Sequence, residues 1–206
     1  MSLCLDNIQL DRVDAQLWNN NFHDLDAGEI VWLHGSNGVG KSTFLRCMAG
    51  LLPVKGTLVL RSGISVFDNK WPHVVAYSGV FNPLVLAYTV GEYLSLLCSM
   101  LCIDQSRRTY EINRVASLLM LEPIMSCHAL SHGQLKRLSL ATLWLCDRPL
   151  WLLDEPLVYV DDGWVSRICE RIEELAAKGS IVYVVSHVQS SSLSARVSRH
   201  YHLERV

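Results

Sequence analysis

The stretch that decides the fold is "LHGSNGVGKSTFL" at 33–45, which places three glycines within six residues and follows them directly with Lys-Ser-Thr. The three glycines are Gly35, Gly38 and Gly40. They can adopt backbone angles that other residues avoid, so the loop can curl until several amide groups point inward. An apolar strand pattern at 29–34 precedes the loop, and a helical pattern at 42–52 follows it and stops at Pro53. This order of strand, glycine loop and helix predicts a loop that holds an anion.

The spacing Gly-x-x-x-x-Gly-Lys-Ser, which begins at Gly35, is a complete P-loop pattern. In such a loop the backbone amides and the N-terminus of the next helix cradle phosphates. Lys41 is expected to reach the β- and γ-phosphates, and Ser42 to place its hydroxyl on Mg²⁺. The predicted nucleotide-binding residues are Gly35, Ser36, Asn37, Gly38, Val39, Gly40, Lys41, Ser42 and Thr43.

An acidic pair, Asp154 and Glu155, begins at the last residue of a second apolar strand pattern, "LWLLD" at 150–154. Asp154 ends this strand and is predicted to be the carboxylate that holds the metal, together with Ser42. Glu155, the next residue, is placed to polarise an attacking water. Acidic residues at strand ends also serve as simple turn formers. Their position downstream of a P-loop favours the catalytic interpretation.

The remaining patterns indicate an α/β fold. Continuous apolar strands alternate with amphipathic helices, and this alternation predicts a parallel sheet covered on both faces. Between 89 and 125 apolar residues recur at intervals of three and four, which predicts an inserted helical region. Further helices are predicted at 132–146 and 164–177, and a last strand at 181–187.

Composition excludes several classes of partner. The chain has 206 residues and a formal net charge of −2 without a basic tail, which argues against binding to nucleic acid. Seven cysteines form an odd number without a C-x-x-C pair, which favours reduced thiols over a disulfide framework. The longest apolar tract, at 93–103, is too short to span a bilayer. Hydrophobic residues make up 50% of the chain, so either the core is aliphatic-rich or a partner covers apolar surface.

The segment "LSHGQLKRLSLATLWL" at 130–145 resembles the signature of the ATP-binding cassette family, usually LSGGQ. The resemblance implies ATP and Mg²⁺ as cofactors and two copies paired head to tail. Ser131, Gly133 and Gln134 would then act in trans on ATP held by the partner's P-loop. His132 stands where the usual signature has its first glycine. As an ordinary alternative, Ser131 can simply cap a helix.

Two further residues fall in the order that this family requires. Asp161 lies six residues after Glu155, where the family's D-loop aspartate meets the partner copy. His187 closes the last strand, where the family's switch histidine contacts the γ-phosphate. The resemblance therefore covers nearly the whole chain. It implies a P-loop NTPase core with a largely parallel sheet, an N-terminal antiparallel β part and an inserted α-helical subdomain. We expect one nucleotide-binding domain over 1–206, divided into the β part and P-loop core (1–88), the helical subdomain with the signature loop (about 89–146), and the core with Asp154 and His187 (147–206).

The chain also departs from the family pattern in two places. No glutamine stands near the end of the "VVAYSGVF" strand pattern at 74–81, where the family has its Q-loop residue. Asn82 could substitute as an amide ligand of the metal. The aromatic residue that stacks on adenine is also not obvious, and either Arg12 or Trp18 could take that position.

Within the family, the short length, the Leu-Trp-Leu of residues 143–145 and "WLLDEP" resemble the ATP-binding subunits of haem exporters in bacterial cytochrome c maturation. The resemblance implies an ATPase bound peripherally to transmembrane subunits on the cytoplasmic face of the inner membrane, where it powers haem export or the release of a haem-loaded chaperone. No recognised haem-ligation motif occurs, so direct haem binding is not expected. Two alternatives stay open: another exporter or importer with separate membrane subunits, and a nonhydrolysing nucleotide-gated interaction module.

Overall fold

A computed structural model describes residues 2–10, 24–60, 62–79, 83–188 and 190–203. The strands are β1 (Ser2–Leu10), β2 (Leu25–Asp26), β3 (Ile30–His34), β4 (Val54–Leu60), β5 (Val75–Ser78), β6 (Leu150–Asp154), β7 (Ile181–Val185) and β8 (Arg199–His202). The α-helices are α1 (Lys41–Met48), α2 (Trp71–Val74), α3 (Val90–Met100), α4 (Gln105–Leu118), α5 (His132–Ser139), α6 (Thr142–Leu145), α7 (Asp162–Ala177) and α8 (Ser191–Ser194). Short 3₁₀ turns lie at Pro83–Ala87 and Cys127–Ala129.

The described chain divides into two compact units. The first comprises Met1–Gly79, Arg148–Leu157 and Val165–Val206, and the second comprises Val80–Asp147 and Val158–Trp164. The first unit contains all the strands named above, and the second contains α3 to α6. The helical region predicted between the P-loop and Asp154 is therefore present as a compact unit with its own packing.

The larger sheet of the first unit is parallel, with strand order β5-β6-β7-β3-β8. Strands β3, β6 and β7 carry apolar residues at almost every position, and all residues of β6 and β7 are buried. Such continuous burial is what a parallel sheet covered on both faces requires. The parallel register of β3, β6 and β7 brings their carboxyl ends to one edge, where the predicted phosphate and metal residues lie.

A second, smaller sheet in the same unit is antiparallel, with order β2-β1-β4. Strand β1 pairs with β4 from Leu3↔Leu60 to Leu10↔Val54, and the register shifts between Asp6 and Gln9. The expected α/β fold with a largely parallel core sheet and an N-terminal antiparallel part is thereby confirmed.

The second unit is built around its own apolar core. Helices α3 and α4 pack together through buried side chains such as Leu94, Cys98 and Val115. Thr89 begins α3 with a capping box, since its hydroxyl accepts from the Glu92 amide and the Glu92 carboxylate accepts from the Thr89 amide. These local signals explain why this stretch is helical.

The helices predicted at 42–52 and 132–146 differ from the observed helices. Helix α1 ends at Met48 rather than at residue 52, because Gly50 adopts a left-handed conformation with φ of 73° and ends the helical run before Pro53. The helix expected over 132–146 is two helices, α5 and α6. At their junction the Leu140 amide donates to the Arg137 carbonyl oxygen, and the Ala141 amide donates to the Leu138 carbonyl oxygen. These bonds span three residues instead of four, so the helix tightens and is interrupted there.

No helix among the described residues is both long and apolar enough to cross a membrane.

Candidate functional site

The glycine loop between β3 and α1 has the backbone geometry that its sequence predicts. Gly35, Gly38 and Gly40 have φ values of 147°, 79° and 103°, a region that side chains with a Cβ rarely occupy. A Cβ at Gly35 would lie 2.7 Å from the carbonyl oxygen of Leu203 and 2.9 Å from Cγ1 of Val39. Glycine at this position is therefore required both by conformation and by space.

Helix α1 begins directly at the end of this loop. Its N-cap residue is Gly40, and no side chain caps the helix. The first-turn amides of a helix have no intrahelical acceptor, and the positive end of the helix dipole favours an anion. The loop and the uncapped helix start together form a site suited to phosphate groups.

The Lys41 side chain lies across this loop. Its ammonium donates to the carbonyl oxygens of Gly35 at 2.7 Å and Ser36 at 3.0 Å, and the residue is only 7% exposed. Burial lowers the pKa of Lys41, while Glu155 and Asp154 act in the opposite direction. The phosphates of a nucleotide would replace the two carbonyl partners with stronger, charged acceptors.

Two oxygen atoms that can ligate a metal ion lie close together, one at the start of α1 and one at the end of β6. The Ser42 hydroxyl donates to Oδ1 of Asp154 at 3.0 Å, and Asp154 is 1% exposed. Mg²⁺ prefers hard oxygen ligands and keeps several water or phosphate oxygens in its shell, so it needs few protein ligands. One hydroxyl and one carboxylate beside a phosphate-binding loop fit that requirement.

Glu155 and His187 form the next part of the site. Glu155 has a φ of 52°, and its Oε2 accepts a hydrogen bond from the His187 amide at 3.1 Å. Its Oε1 is shielded from solvent and accepts no hydrogen bond within the described part of the chain, although Nε2 of His187 is 3.3 Å away. The carboxylate is therefore held through Oε2, while Oε1 keeps lone pairs that can accept a proton or orient a water molecule.

These residues surround one cavity of about 440 Å³ in the first unit. It is lined by Asn37, Gly38, Gly40, Lys41, Ser42, Thr43, Glu155, Val185 and His187. The structure thus brings the predicted phosphate, water-polarising and switch residues together. Asp154 lies beneath them, against Ser42.

The signature loop lies in the second unit, at the start of α5. Ser131 is the N-cap: its hydroxyl accepts from the Gln134 amide at 3.3 Å, and the Gln134 side chain accepts from the Ser131 amide at 2.8 Å. Ser131 therefore caps α5, and its additional role in the signature stays a prediction. His132 is exposed, and its ring centroid lies 6.0 Å from that of Tyr159.

The D-loop residues lie beside this signature loop. A cavity of about 150 Å³ is lined by Ser131, Gly133, Gln134, Arg137, Tyr159, Val160, Asp161 and Trp164. Asp161 is exposed, and its Oδ1 accepts from the Trp164 amide at 3.0 Å, so it caps the first turn of α7. Tyr159 is 74% exposed and has a φ of 64°, which is unusual for a bulky residue.

Comparison with known proteins decides the family. The model of the ABC transporter family matches residues 19–158. The cytochrome c biogenesis ATP-binding export protein CcmA of Legionella pneumophila is 35% identical over 211 residues, which cover 97% of this chain and 100% of that protein. The chain belongs to the ABC transporter family. The CcmA proteins of Mannheimia succiniciproducens and Haemophilus influenzae are also similar, at 32% and 31% identity over 93% and 92% of this chain and 91% of each of those proteins.

Solved structures of ABC ATP-binding proteins have the same fold. The ATP-binding subunit of an ABC transporter superposes with a TM-score of 0.85 at 21% identity, over 99% of this chain and 86% of that one. An ATP-binding cassette solved as a dimer in a post-hydrolysis state with ADP and phosphate gives 0.80 at 21% identity, over 99% and 94%. The protein is an ABC ATPase subunit that binds nucleotide and is homologous to the CcmA proteins.

Three predicted residues of this ABC ATPase lie outside the described residues. These are Arg12 and Trp18, the two candidates for stacking on adenine, and Asn82, the candidate amide ligand of the metal. Their roles stay predictions. Conversely, sequence patterns did not indicate Tyr77 and Arg46, which lie next to Asp154. The alternation of side chains along β5, which pairs with β6, is the sequence feature that could have indicated Tyr77.

Gly133 of the predicted signature loop provides a first testable expectation. A Cβ at this position would lie 2.9 Å from the carbonyl oxygen of Tyr159, so Gly133→Ala should displace the D-loop. We expect ATP hydrolysis to fall at least about tenfold, because a displaced D-loop no longer positions the reacting groups correctly. The affinity of the P-loop for ATP should stay within twofold of wild type. Steady-state phosphate release and calorimetric ATP titration measure the two quantities.

The matched control is Gly91→Ala, at the second residue of α3. Its Cβ would approach the Pro123 carbonyl oxygen to 3.1 Å, a similar contact in the same unit but away from the signature loop. We expect the control to retain hydrolysis. Equal hydrolysis in Gly133→Ala and wild type would show that the D-loop position beside Gly133 has no role in turnover.

Proposed function

We propose that this protein is the ATP-hydrolysing subunit of a membrane export complex in cytochrome c biogenesis, one that exports haem or releases a haem-loaded chaperone. The observation that carries the proposal is the match to the Legionella CcmA protein over the whole length of that relative. The cluster of Lys41, Asp154, Glu155 and His187 supports an active rather than a degenerate ATPase, because each side chain has the position that its chemistry needs.

The nucleotide site supports binding of ATP with Mg²⁺. The amides from Ser36 to Thr43 and the start of α1 would hold the phosphates, and the Lys41 ammonium would exchange its two loop carbonyls for β- and γ-phosphate oxygens. Ser42 and Asp154 would hold Mg²⁺, and this ion would neutralise negative charge on the β- and γ-phosphates. The Ser42 hydroxyl would then turn its lone pairs, rather than its proton, towards the metal.

Hydrolysis would rest on Glu155 and His187. Oε1 of Glu155, which has no hydrogen-bond partner among the described residues, would orient a water in line with the γ-phosphate, while Oε2 stays bound to the His187 amide and keeps the carboxylate in place. The His187 ring lies 53% exposed beside Glu155, where it can contact the γ-phosphate. The chain's own contribution is thus positioning and charge stabilisation, as expected for phosphoryl transfer.

A complete site would need a second copy of the chain. The signature residues Ser131, Gly133 and Gln134 and the D-loop residue Asp161 lie in the second unit, with Ser131 and Asp161 exposed. We place them against the nucleotide held by the partner's P-loop in a head-to-tail dimer. A dimer among the similar solved cassettes supports this arrangement. ATP would hold the two copies together, and hydrolysis would separate them.

The partners and place in the cell follow from the same homology. We propose that the protein is peripheral, on the cytoplasmic face of the bacterial inner membrane, and binds separate transmembrane subunits that select the substrate. Large apolar side chains exposed on the second unit, such as Met100 and Ile124 at 70% and 81%, offer surface for such a partner. Neither haem nor nucleic acid would bind this chain directly.

The test is complementation of cytochrome c maturation. The chain and its own membrane subunits are expressed in a bacterium whose CcmA protein has been deleted, and haem bound covalently to c-type cytochromes is measured by peroxidase staining. We expect wild type to restore the signal and Glu155→Gln, as the control, not to restore it. A complex that assembles and hydrolyses ATP but restores no covalent haem would show that the exported substrate is a different one.

A further inference from the structure

The Asp154 carboxylate has two oxygens, and each is held by a hydroxyl from a different element. Ser42 on α1 donates to Oδ1 at 3.0 Å, and Tyr77 on β5 donates to Oδ2 at 3.3 Å. Because Asp154 is 1% exposed, water competes little for either oxygen. The two hydroxyls therefore define the rotation of a buried carboxylate about its own axis.

The direction of the Tyr77 hydrogen bond is fixed by Arg46. The Nε of Arg46 donates to the Tyr77 hydroxyl oxygen at 3.4 Å, and arginine has no acceptor, so the tyrosine proton is left for Asp154. Arg46 lies four residues after Ser42, on the same face of α1.

The backbone of β5 explains why Tyr77 reaches this position. Tyr77 pairs in parallel with Leu152, and side chains alternate along a strand, so Tyr77 lies on the same face of the sheet as Leu152 and Asp154. The ring then turns back over Gly79, where any Cβ would collide with the tyrosine hydroxyl. Because Gly79 has no side chain, there is room for the Tyr77 ring beside Asp154.

We propose that Tyr77 is a positioning residue for the metal carboxylate. Held by Arg46, its hydroxyl keeps Oδ2 of Asp154 turned away from Ser42, so that Oδ1 and the Ser42 hydroxyl form one pair of ligands for the divalent cation that accompanies ATP. The inference rests on the proposed nucleotide function and adds to it a determinant of metal affinity. Loss of a group that hydrogen-bonds to a metal ligand typically weakens metal binding tenfold or more.

Tyr77→Phe removes the hydroxyl and keeps the ring. Binding of Mn²⁺ to the protein with saturating ATP, followed by electron paramagnetic resonance, should weaken roughly tenfold. ATP affinity without divalent metal should stay within twofold, because the phosphate loop is unchanged. The matched control is Tyr201→Phe, since Tyr201 packs against the same core and its hydroxyl bonds to Arg199. This control should bind Mn²⁺·ATP as wild type does.

A double-mutant cycle with Arg46→Met separates orientation from packing. If Arg46 acts through Tyr77, Arg46→Met should also weaken Mn²⁺ binding, and the double variant should lose less than the product of the two single losses. Should Tyr77→Phe fail to fold, the weakening in Arg46→Met carries the test. Unchanged Mn²⁺ affinity in a folded Tyr77→Phe, or independent losses in the cycle, would overturn this inference alone. Failure of wild type to bind Mn²⁺·ATP would overturn the nucleotide proposal as well.

Discussion

Replacement of Lys41 by alanine is expected to abolish measurable ATP binding at micromolar protein concentration. The Lys41 ammonium is the buried cation of the phosphate loop, and a hydrogen bond from a charged group contributes about 1.5–3 kcal/mol. Losing contacts to two phosphate groups therefore predicts a decrease in affinity on the order of 100-fold or more. Isothermal titration calorimetry with ATP and Mg²⁺ measures it.

The control for this experiment is Lys70→Ala, since Lys70 is an exposed lysine of the same unit outside the site. It should bind ATP with wild-type affinity. Thermal unfolding without nucleotide checks that Lys41→Ala is folded, because the variant also loses two bonds to the loop carbonyls. A folded Lys41→Ala variant that binds ATP within threefold of wild type would contradict the assignment of the phosphate site.

The second large effect is expected for Glu155→Gln. An amide in place of the carboxylate can still accept from the His187 amide, so the loop geometry should persist. The side chain can no longer take a proton from water, and general-base catalysis contributes on the order of 10²- to 10⁴-fold. We expect turnover to fall by that factor while ATP affinity is retained.

The same variant should accumulate as an ATP-bound dimer, because the step that separates the copies is blocked. Gel filtration with light scattering, with and without ATP and Mg²⁺, measures the change in mass. Glu174→Gln is the control, since this exposed glutamate on α7 pairs with Arg171 and does not line the P-loop cavity, and it should behave as wild type. A Glu155→Gln variant that stays monomeric with bound ATP would argue against a site completed by two copies.

Much of the site follows from local sequence because each part depends on few residues. Glycine spacing at 35–40 determines the loop conformation, and the position of Asp154 as the last residue of an apolar strand determines where its carboxylate lies. Parallel strands bring their carboxyl ends together, so Asp154 and His187 could be expected near the loop. These features need no knowledge of long-range packing.

The features that sequence reasoning missed depend on contacts between distant elements. Tyr77 reaches Asp154 only because β5 pairs with β6 in one particular register and because Gly79 leaves space for the ring. The interruption between α5 and α6 arises from three-residue turns that the apolar periodicity of 132–146 does not reveal. The left-handed backbone at Tyr159 is likewise set by the surrounding D-loop, since tyrosine itself has no preference for it.

The most direct test of the account is ATP hydrolysis by the purified chain, wild type against Glu155→Gln, alone and with the co-purified membrane subunits. The account predicts phosphate release that depends on Glu155 and that rises when the membrane subunits are present. ATP binding without any Glu155-dependent phosphate release in either state would contradict it, and the protein would then be a nucleotide-gated clamp rather than a transport ATPase.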